Sequence, residues 1–272
     1  MKNLKTILFV LTVSVFAFTF TSCKSDDEPE TQVSVKLTDG PFPFNFATEA
    51  NVTVQKIELK NESGEYVTIF EGEAGYNMVA LTNGTSADVT STSLTAGTYT
   101  HAKITIKGES VGFNNNSNVD VSGDVSATTE VIYPPLVIEE GSNSNLLLDL
   151  DLSNSFSFSG SFGGVFFDWI TDVSGITTCS FTPQLRVVDL DQTGEISGTV
   201  TVNGEAVANA EVSINANGGT INTHTEADGT YRFIGIVEGN YTVTVNTSDN
   251  FSGSNTAQVS GTASASCNVT IE

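Results

Sequence analysis

Few residues in this sequence have the types and spacing that catalysis requires. Gly108, Ser110 and Gly112 match the GxSxG pattern of serine hydrolases, in which a strand turns sharply into a helix and exposes the serine hydroxyl. Gly- and Asn-rich polar sequence follows the pattern instead of a helix, so we interpret it as a turn at the end of a strand. His101 and His224 have no His or Cys neighbour at metal-ligand spacing and are expected at surface strand positions. We therefore assign no catalytic residue and predict that the protein is not an enzyme.

The acidic residues near position 190 begin a calcium loop but do not complete one. Asp189, Asp191 and Thr193 place oxygen-bearing side chains at alternate positions, and Gly194 is sixth. A calcium loop carries a bidentate acid at its twelfth position, which here is Val200. We interpret these residues as linker acids and predict no metal site and no cofactor, while Ca²⁺ binding near Asp189 and Asp191 stays an open alternative.

The three cysteines do not have the spacing of a zinc site. Cys179 shares its predicted strand face with Phe181, and Cys267 shares its face with Val269. We predict that both are small buried hydrophobic residues. The alternative is a disulfide between them, which would have to join two domains.

Aromatic residues provide the clearest candidate for ligand binding. Phenylalanines alternate over residues 42–46, and further aromatic rings crowd a Gly/Ser-rich stretch over residues 156–169. Sugars stack their apolar faces on exposed rings, while neighbouring polar groups bind their hydroxyls. We predict Trp169 and Phe167 as stacking groups for carbohydrate and Asp168 as their polar partner. The alternative is that these rings complete the core beneath irregular loops.

The N-terminus predicts export and lipid attachment. Two lysines precede an apolar run of 14 residues, Ile7–Phe20, which is too short to span a bilayer, so residues 1–22 are predicted to be a signal peptide. The sequence Phe-Thr-Ser-Cys at residues 20–23 resembles a bacterial lipobox. The resemblance implies that Cys23 receives a diacylglyceryl group, that cleavage occurs before it and that its new amine is acylated. The alternative is an ordinary signal peptide with a chance cysteine.

Residues 23–31, the acidic tether, follow the signal peptide. Lys24 is followed by the sequence SDDEPE at residues 25–30, which resembles the surface-export signal of lipoproteins from Bacteroidota-like bacteria. This resemblance implies a lipid-anchored protein of the outer membrane that is exposed at the cell surface. The alternative is a solvated spacer on a protein that faces the periplasm.

The charge of the chain excludes one class of partner. The 272 residues include 32 Asp and Glu against 10 Lys and Arg, a formal net charge of −22. Nucleic-acid binding requires cations that displace the counterions of phosphate, so we exclude nucleic acid as a partner. Hydrophobic residues make up 39% of the chain, which suffices for a core, and the abundance of Ser, Thr, Asn and Gly is typical of exported β proteins.

Short alternating apolar runs predict an all-β fold. Apolar and polar residues alternate over residues 33–37, and no segment after the signal peptide has sustained apolar spacing of about 3.6 residues. The apolar phase slips by one residue between Val54 and Ile57, which predicts a β-bulge at Gln55–Lys56.

The segment 195–272 has the clearest strand pattern. Asn203–Gly204 predicts a tight hairpin turn, and Asp228–Gly229 and Gly239–Asn240 predict further turns between apolar strands. About seven short strands at this spacing predict a small antiparallel sandwich.

The same segment carries motifs that resemble a carboxypeptidase regulatory-like domain. The motifs are GEISGTV at 194–200, ANAEV at 208–212, TEADGTYRF at 225–233 and EGNYTV at 238–243. The resemblance implies a seven-stranded prealbumin-like or starch-binding-like β-sandwich, a fold relative of sugar-binding modules that carries no peptidase chemistry itself.

The larger segment, residues 32–190, resembles the bacterial domain of unknown function 4382. The motifs are VSVKLTDGP at 33–41, VTVQKIEL at 52–59, LTAGTYT at 94–100, LLLDLD at 146–151 and FTPQLRVVD at 181–189. In that family the domain often precedes a sandwich like the one above, and the family has no settled activity. We predict two β-sandwich domains, joined at residues 189–194, where Leu190 is the one hydrophobic residue in a polar stretch.

We therefore predict a lipid-anchored, non-enzymatic binding protein of the outer membrane and cell surface. Its expected partners are the membrane, through the lipid anchor, and a glycan or a surface protein. The alternative is a structural spacer, or an assembly or adhesion module, with no small-molecule ligand. Exposed rings at residues 42–46 and 156–169 would favour ligand binding, and buried rings would favour the spacer.

Overall fold

The computed structural model describes residues 31–40, 47–115, 117–123, 125–160, 173, 175–216, 218–247, 249 and 251–271. Several sequence predictions lie outside these residues: the signal peptide 1–22, the lipidation site Cys23, the phenylalanines within 42–46, and the carbohydrate contacts Phe167, Asp168 and Trp169. Within the described part of the chain, no helix is long and apolar enough to cross a membrane.

Among the described residues of the first domain, eleven strands form a single sheet. These strands are β1 (Gln32–Gly40), β2 (Ala47–Asn61), β3 (Tyr66–Asn77), β4 (Ala87–Ser93), β5 (Gly97–Phe113), β6 (Asn118–Ser122), β7 (Ser126–Ile138), β8 (Asn143–Asp151), β9 (Phe156–Gly160), β10 (Ile176–Phe181) and β11 (Leu185–Asp189). Their order is β4-β1-β8-β11-β7-β5-β6-β10-β9, and β2 lies between β5 and β3. A short helix, α1 (Leu152–Ser155), and 3-10 turns at Met78–Leu81 and Leu190–Gln192 connect strands.

One apolar core fills the first domain because its strands alternate. Leu146, Leu148 and Leu150 of β8 all face this core and are fully buried, and each such side chain contributes about 1.5–3 kcal/mol of hydrophobic free energy. The sheet curves around the core until its outer strands β3 and β4 approach each other. There the hydroxyl of Tyr76 donates a hydrogen bond to the main-chain oxygen of Asp88, at 3.0 Å.

The predicted bulge in β2 is confirmed. The register of β2 with both β3 and β5 shifts between Val54 and Lys56, so Gln55 is the extra residue. The bulge restores the inward direction of the apolar side chains that follow it, and Val54 and Ile57 are both fully buried.

In the described part of the second domain, nine strand segments form a five-stranded and a four-stranded sheet. These segments are β12 (Gly194–Val202), β13 (Glu205–Ala206), β14 (Glu211–Ala216), β15 (Gly219–His224), β16 (Thr230–Ile236), β17 (Gly239–Asn246), β18 (Ser252–Val259), β19 (Ser264–Ser266) and β20 (Val269–Ile271). The four-stranded sheet has the order β15-β14-β17-β18. The inner faces of the two sheets enclose a second apolar core, separate from the first.

The number of strands agrees with the seven-stranded sandwich expected from the sequence, but the expected antiparallel pairing does not hold throughout. β19 and β20 pair in parallel with consecutive parts of β12, so they act as one strand interrupted at Cys267 and Asn268. The interruption stays hydrogen bonded, because Cys267 N donates to Ser197 O at 2.8 Å and Asn268 Oδ1 accepts from Thr199 N at 3.0 Å. β13 is a two-residue extension that follows the predicted Asn203–Gly204 turn. The all-β prediction is therefore confirmed.

Candidate functional site

The GxSxG motif is part of a continuous strand and not a nucleophile turn. Gly108, Ser110 and Gly112 all lie within β5, and Ser110 Oγ accepts a hydrogen bond from Asn51 Nδ2 at 3.2 Å. The position of Gly108 has a packing reason, since a Cβ atom there would be 2.7 Å from Cβ of Phe181. The expected turn at the end of the strand is thus absent from this position, and the motif serves sheet packing.

The histidines of the described residues lie on strands, and the cysteines are buried. His101 lies in β5 with Nδ1 hydrogen bonded to Thr100 Oγ1 at 2.9 Å, and His224 ends β15. Cys179 and Cys267 are buried free thiols, as predicted. Burial raises the pKa of Cys179 to about 12 and also raises the pKa of Cys267, so neither is a thiolate nucleophile near neutral pH.

The carboxylates of the linker between the domains accept hydrogen bonds from nearby nitrogen atoms of the protein. Asp189 Oδ1 accepts from Asp191 N at 2.9 Å, and Asp189 Oδ2 accepts from Gln192 Nε2 at 2.7 Å. Asp191 accepts from both the main-chain and the side-chain nitrogen of Asn145, at 2.8 and 2.9 Å. These bonds attach the linker to β8. Within the described ranges, no group of three or more His, Cys, Asp or Glu side chains is placed to hold a metal ion.

The two domains are joined by the guanidinium group of Arg186. Its Nε donates to Asp149 Oδ2 at 2.6 Å, within the first domain. Its Nη1 and Nη2 donate to the main-chain oxygens of Gly235 and Ile234, both at 2.7 Å, in the second domain. The Arg186 side chain is 18% exposed and that of Asp149 is 9% exposed. Charge-assisted hydrogen bonds of this kind are about twice as strong as neutral ones.

Asn83 makes a second polar contact between the domains. Its Oδ1 accepts from Arg232 N at 2.6 Å and its Nδ2 donates to Glu226 Oε1 at 3.1 Å. Arg232 lies in β16, an outer strand of its sheet. Together, Asn83 and Arg186 occupy main-chain donors and acceptors of this strand, which would otherwise be open to pairing with another chain.

An apolar contact lies beside these hydrogen bonds. Leu147 and Val188 are buried although they point away from the core of the first domain, and a Cβ atom at Gly235 would be 2.7 Å from Val188 Cγ2. Gly235 has φ of +68°, a conformation that suits glycine. The second domain therefore packs directly on the outer face of the first sheet.

A cleft of about 260 Å³ lies between the domains next to Arg186. The first domain lines it with Gly40, Asp149, Asp151, Ser153, Gln184, Leu185 and Arg186, and the second with Ala216 and residues 218–222. Asp151 also caps α1, with Oδ1 accepting from Asn154 N at 3.0 Å. Side chains and main-chain groups of both domains line this cleft, and it is the candidate binding site.

A smaller interdomain cavity adjoins the cleft and contains two unpaired polar groups. Asp39 and Thr223 both line it, together with Asp149 and Arg186. Asp39 is only 5% exposed, and no described residue is a hydrogen-bond partner of ordinary geometry for either of its carboxylate oxygens or for the Thr223 hydroxyl. Burial raises the pKa of Asp39 well above its ordinary value, and nearby Asp149 and Asp151 raise it further.

The sequence did not identify the residues that build this region. Arg186 lies in an apolar strand, and no local pattern indicates that it contacts residues almost 50 positions further on. Asn83 precedes a glycine, which predicts a turn but not a contact across the domain boundary. Asp39 follows alternating buried positions, and this periodicity was the one available sign that it would be buried.

Comparison with known proteins assigns a family to each part of the chain. Residues 30–164 match the family model described as "Domain of unknown function (DUF4382)". Residues 195–272 match the model described as "Carboxypeptidase regulatory-like domain". No curated protein matches the chain. Strands β10 and β11 lie beyond the first match but belong to the same sheet.

Several solved structures share low similarity with the chain. The Bacillus anthracis TIE protein is 11% identical, with a TM-score of 0.27, over 83% of this chain and 34% of that one. BcpA, the major pilin subunit of Bacillus cereus, is 11% identical, with a TM-score of 0.23, over 89% of this chain and 70% of that one. The shaft pilin SpaA of Lactobacillus rhamnosus GG is 9% identical, with a TM-score of 0.25, over 89% and 98%.

The chain spans about a third of the length of the TIE protein. The domain assignment rests on the two family matches, whose order agrees with the order of motifs in the sequence. The chain therefore carries a segment that matches the domain of unknown function 4382, followed by a segment that matches a carboxypeptidase regulatory-like domain.

Proposed function

We propose that this chain is a lipid-anchored, non-enzymatic binding protein of the outer membrane that faces the cell exterior. The lipobox-like sequence at residues 20–23 and the acidic tether support the anchor and the location. The carboxypeptidase regulatory-like domain, a non-catalytic kind of domain, supports a role in binding or structure.

The observation that carries this proposal is the docking of the two domains. Arg186 and Asn83 bind main-chain groups of β16, and Leu147 and Val188 pack against Gly235. Polar and apolar contacts at separate points oppose rotation of one domain against the other. A fixed pair of domains presents a constant surface to a ligand, and it lowers the entropy cost of binding.

Carbohydrate is the ligand class that we propose for the aromatic segment, with Trp169 and Phe167 as stacking groups and Asp168 as their polar partner. The test is retention of the purified chain on a glycan array. We expect Trp169→Ala to abolish retention, and Asn255→Ala, at an exposed position of the second domain, to leave it unchanged. Equal retention of the Trp169→Ala variant and the parent would contradict this assignment, provided that both have the same circular dichroism spectrum.

A structural spacer is the second candidate, and the rigid docking favours it as well. A spacer needs a stiff body and no ligand, whereas a binding protein needs a stiff body and a ligand. Failure of the parent chain to be retained on any glycan, together with unchanged docking, would favour the spacer.

Lipid attachment and location have their own tests. Metabolic labelling with a radioactive fatty acid should label the parent chain, and the Cys23→Ser variant should remain unlabelled. Protease treatment of intact cells should degrade the chain if it faces the medium. An unlabelled parent would refute the anchor, and a chain that resists the protease would refute surface exposure.

A further inference from the structure

One wall of the interdomain cleft is an open strand edge. β15 is the outermost strand of the four-stranded sheet and pairs with β14 alone. Ala216 pairs with Gly219, and two residues of the chain connect them. From that pair onward, hydrogen-bonded and non-hydrogen-bonded pairs of the antiparallel ladder alternate. Thr220 and Asn222 belong to non-hydrogen-bonded pairs, so their main-chain N–H and C=O groups point away from β14.

The contact between Asn222 and Gly40 supports this orientation independently. A Cβ atom on Gly40 of the first domain would be 3.7 Å from the main-chain oxygen of Asn222. This carbonyl therefore faces the first domain, as the ladder pattern requires. Across the described ranges, the main-chain groups of Thr220 and Asn222 on this side have no hydrogen-bond partner, and both residues line the cleft.

Acidic and amide side chains form the opposite wall. Asp149, Asp151 and Gln184 face the cleft there. Arg186 is the one cation among the described lining residues, and three of its N–H groups donate to Asp149 and to the second domain. The wall therefore has a surplus of negative charge, in a chain whose net charge is −22, and it favours a cationic group on the ligand.

The lining also discriminates between ligand classes. None of the described residues around the cleft is aromatic, so a sugar would find no ring on which to stack. An extended peptide can instead add to the free strand edge through main-chain hydrogen bonds, and side-chain contacts then provide specificity. The free N–H and C=O of Thr220 are one donor and one acceptor at the position that such a strand needs.

We propose that this cleft binds an extended peptide segment that pairs with the edge of β15 at Thr220 and places a Lys or Arg side chain beside Asp151. The segment in contact is short, because the cleft narrows where Asn222 meets Gly40. This proposal uses other residues than the carbohydrate contacts proposed at Trp169, and it does not depend on the lipid anchor.

The test uses the full chain and three acetylated and amidated peptides, with binding measured by calorimetry. The first peptide is Lys-Val-Lys-Val-Lys, the second is Glu-Val-Glu-Val-Glu, and the third is the first with methylated main-chain nitrogens. We expect saturable binding of the first peptide, with binding of the other two weaker by about tenfold or more, since each lacks either the charge or the donors.

Two pairs of variants locate the site. Thr220→Pro removes the outward N–H without removing a ladder hydrogen bond, whereas Thr220→Val keeps that N–H and loses the same hydroxyl. We expect about tenfold weaker binding for Thr220→Pro and parent-like binding for Thr220→Val. Asp151→Asn keeps an oxygen to accept from Asn154 N at the cap of α1, loses the bond from Asn154 Nδ2 to the second oxygen and removes the charge. We expect it to weaken binding several-fold at low salt. Asp120→Asn, at an exposed position of β6, is its control.

Each outcome decides the proposal. No binding of the Lys-Val peptide at millimolar concentration overturns it, as does equal binding of Thr220→Pro and Thr220→Val or of the normal and methylated peptides. Binding of cello-oligosaccharide at this edge without binding of the peptide also overturns it. None of these results changes the outcome of the Trp169→Ala glycan-array test. Failure of the peptide proposal is therefore distinguishable from failure of the proposed function.

Discussion

Arg186 Nε lies 2.6 Å from Asp149 Oδ2, and Nη1 and Nη2 of the same guanidinium group each donate a hydrogen bond to the second domain. The same side chain therefore satisfies a nearly buried carboxylate and attaches one domain to the other. Replacement of Arg186 should therefore affect both the burial of the Asp149 carboxylate and the docking of the second domain.

We expect Arg186→Met to lower the free energy of unfolding by about 3 kcal/mol, because it leaves Asp149 as an unpaired charge in a buried position. Denaturant unfolding provides the measurement. Arg232→Met is the matched control, since the Arg232 ion pair with Glu195 is more exposed and pairs of that kind contribute about 0–1 kcal/mol. A similar loss of unfolding free energy in both variants would show that the Arg186–Asp149 pair contributes no more than an exposed ion pair.

Asn83 permits a separate test of docking. Its φ is +55°, a region that Gly adopts freely and Ala does not. We expect Asn83→Gly to lose about 1 kcal/mol through the missing hydrogen bonds, and Asn83→Ala to lose about 1 kcal/mol more through backbone strain.

Hydrogen exchange of the Arg232 amide gives the site-specific readout for Asn83. This amide donates to Asn83 Oδ1, so its exchange should accelerate in both variants. Unchanged protection of Arg232 would mean that the two domains do not stay docked through this contact in solution.

The buried carboxyl of Asp39 predicts a pH dependence of stability. Its pKa is raised in the folded chain, so the folded state holds this proton more tightly than the unfolded state. The resulting stabilisation is present below the ordinary pKa of 3.8 and is lost as the pH rises through the raised value. We expect Asp39→Asn, which imitates the neutral form, to be more stable than the parent at pH 8.

Denaturant unfolding of the parent and Asp39→Asn at pH 4 and pH 8 checks this prediction. The stability advantage of the variant should be larger at pH 8 than at pH 4. Asp88→Asn, with an exposed side chain, is the control and should show no such growth. An advantage for Asp39→Asn that is the same at both pH values would contradict the assignment of Asp39 as a neutral buried acid.

Gly108 of the GxSxG motif should behave as a packing residue. Because a Cβ atom there would meet Cβ of Phe181 at 2.7 Å, we expect Gly108→Ala to destabilise the chain by about 1–3 kcal/mol. Gly75→Ala, with no atom within 4 Å of the new methyl group, should be neutral or slightly stabilising. Thermal unfolding distinguishes them, and a neutral Gly108→Ala would remove the packing explanation.

Local sequence determined the strands, the bulge in β2 and the turn at Asn203–Gly204. Period-2 alternation requires a strand with one buried face, and it also predicted the bulge at Gln55 and the buried thiols of Cys179 and Cys267. The Asn203–Gly204 turn followed from the backbone angles that these two residues tolerate, and both have positive φ in the structure. Each of these features depends on residues within a few positions of one another.

Tertiary structure alone decided which residues meet. Leu146 pairs in parallel with Val35, more than 100 positions away, and Arg186 reaches Gly235 only because the second domain packs on β8 and β11. Strand periodicity tells which way a side chain points but not which strand or domain lies opposite. For that reason the sequence determined the β elements of this protein, whereas the interdomain cleft, the unpaired Asp39 and the open edge of β15 arose only when distant segments packed together.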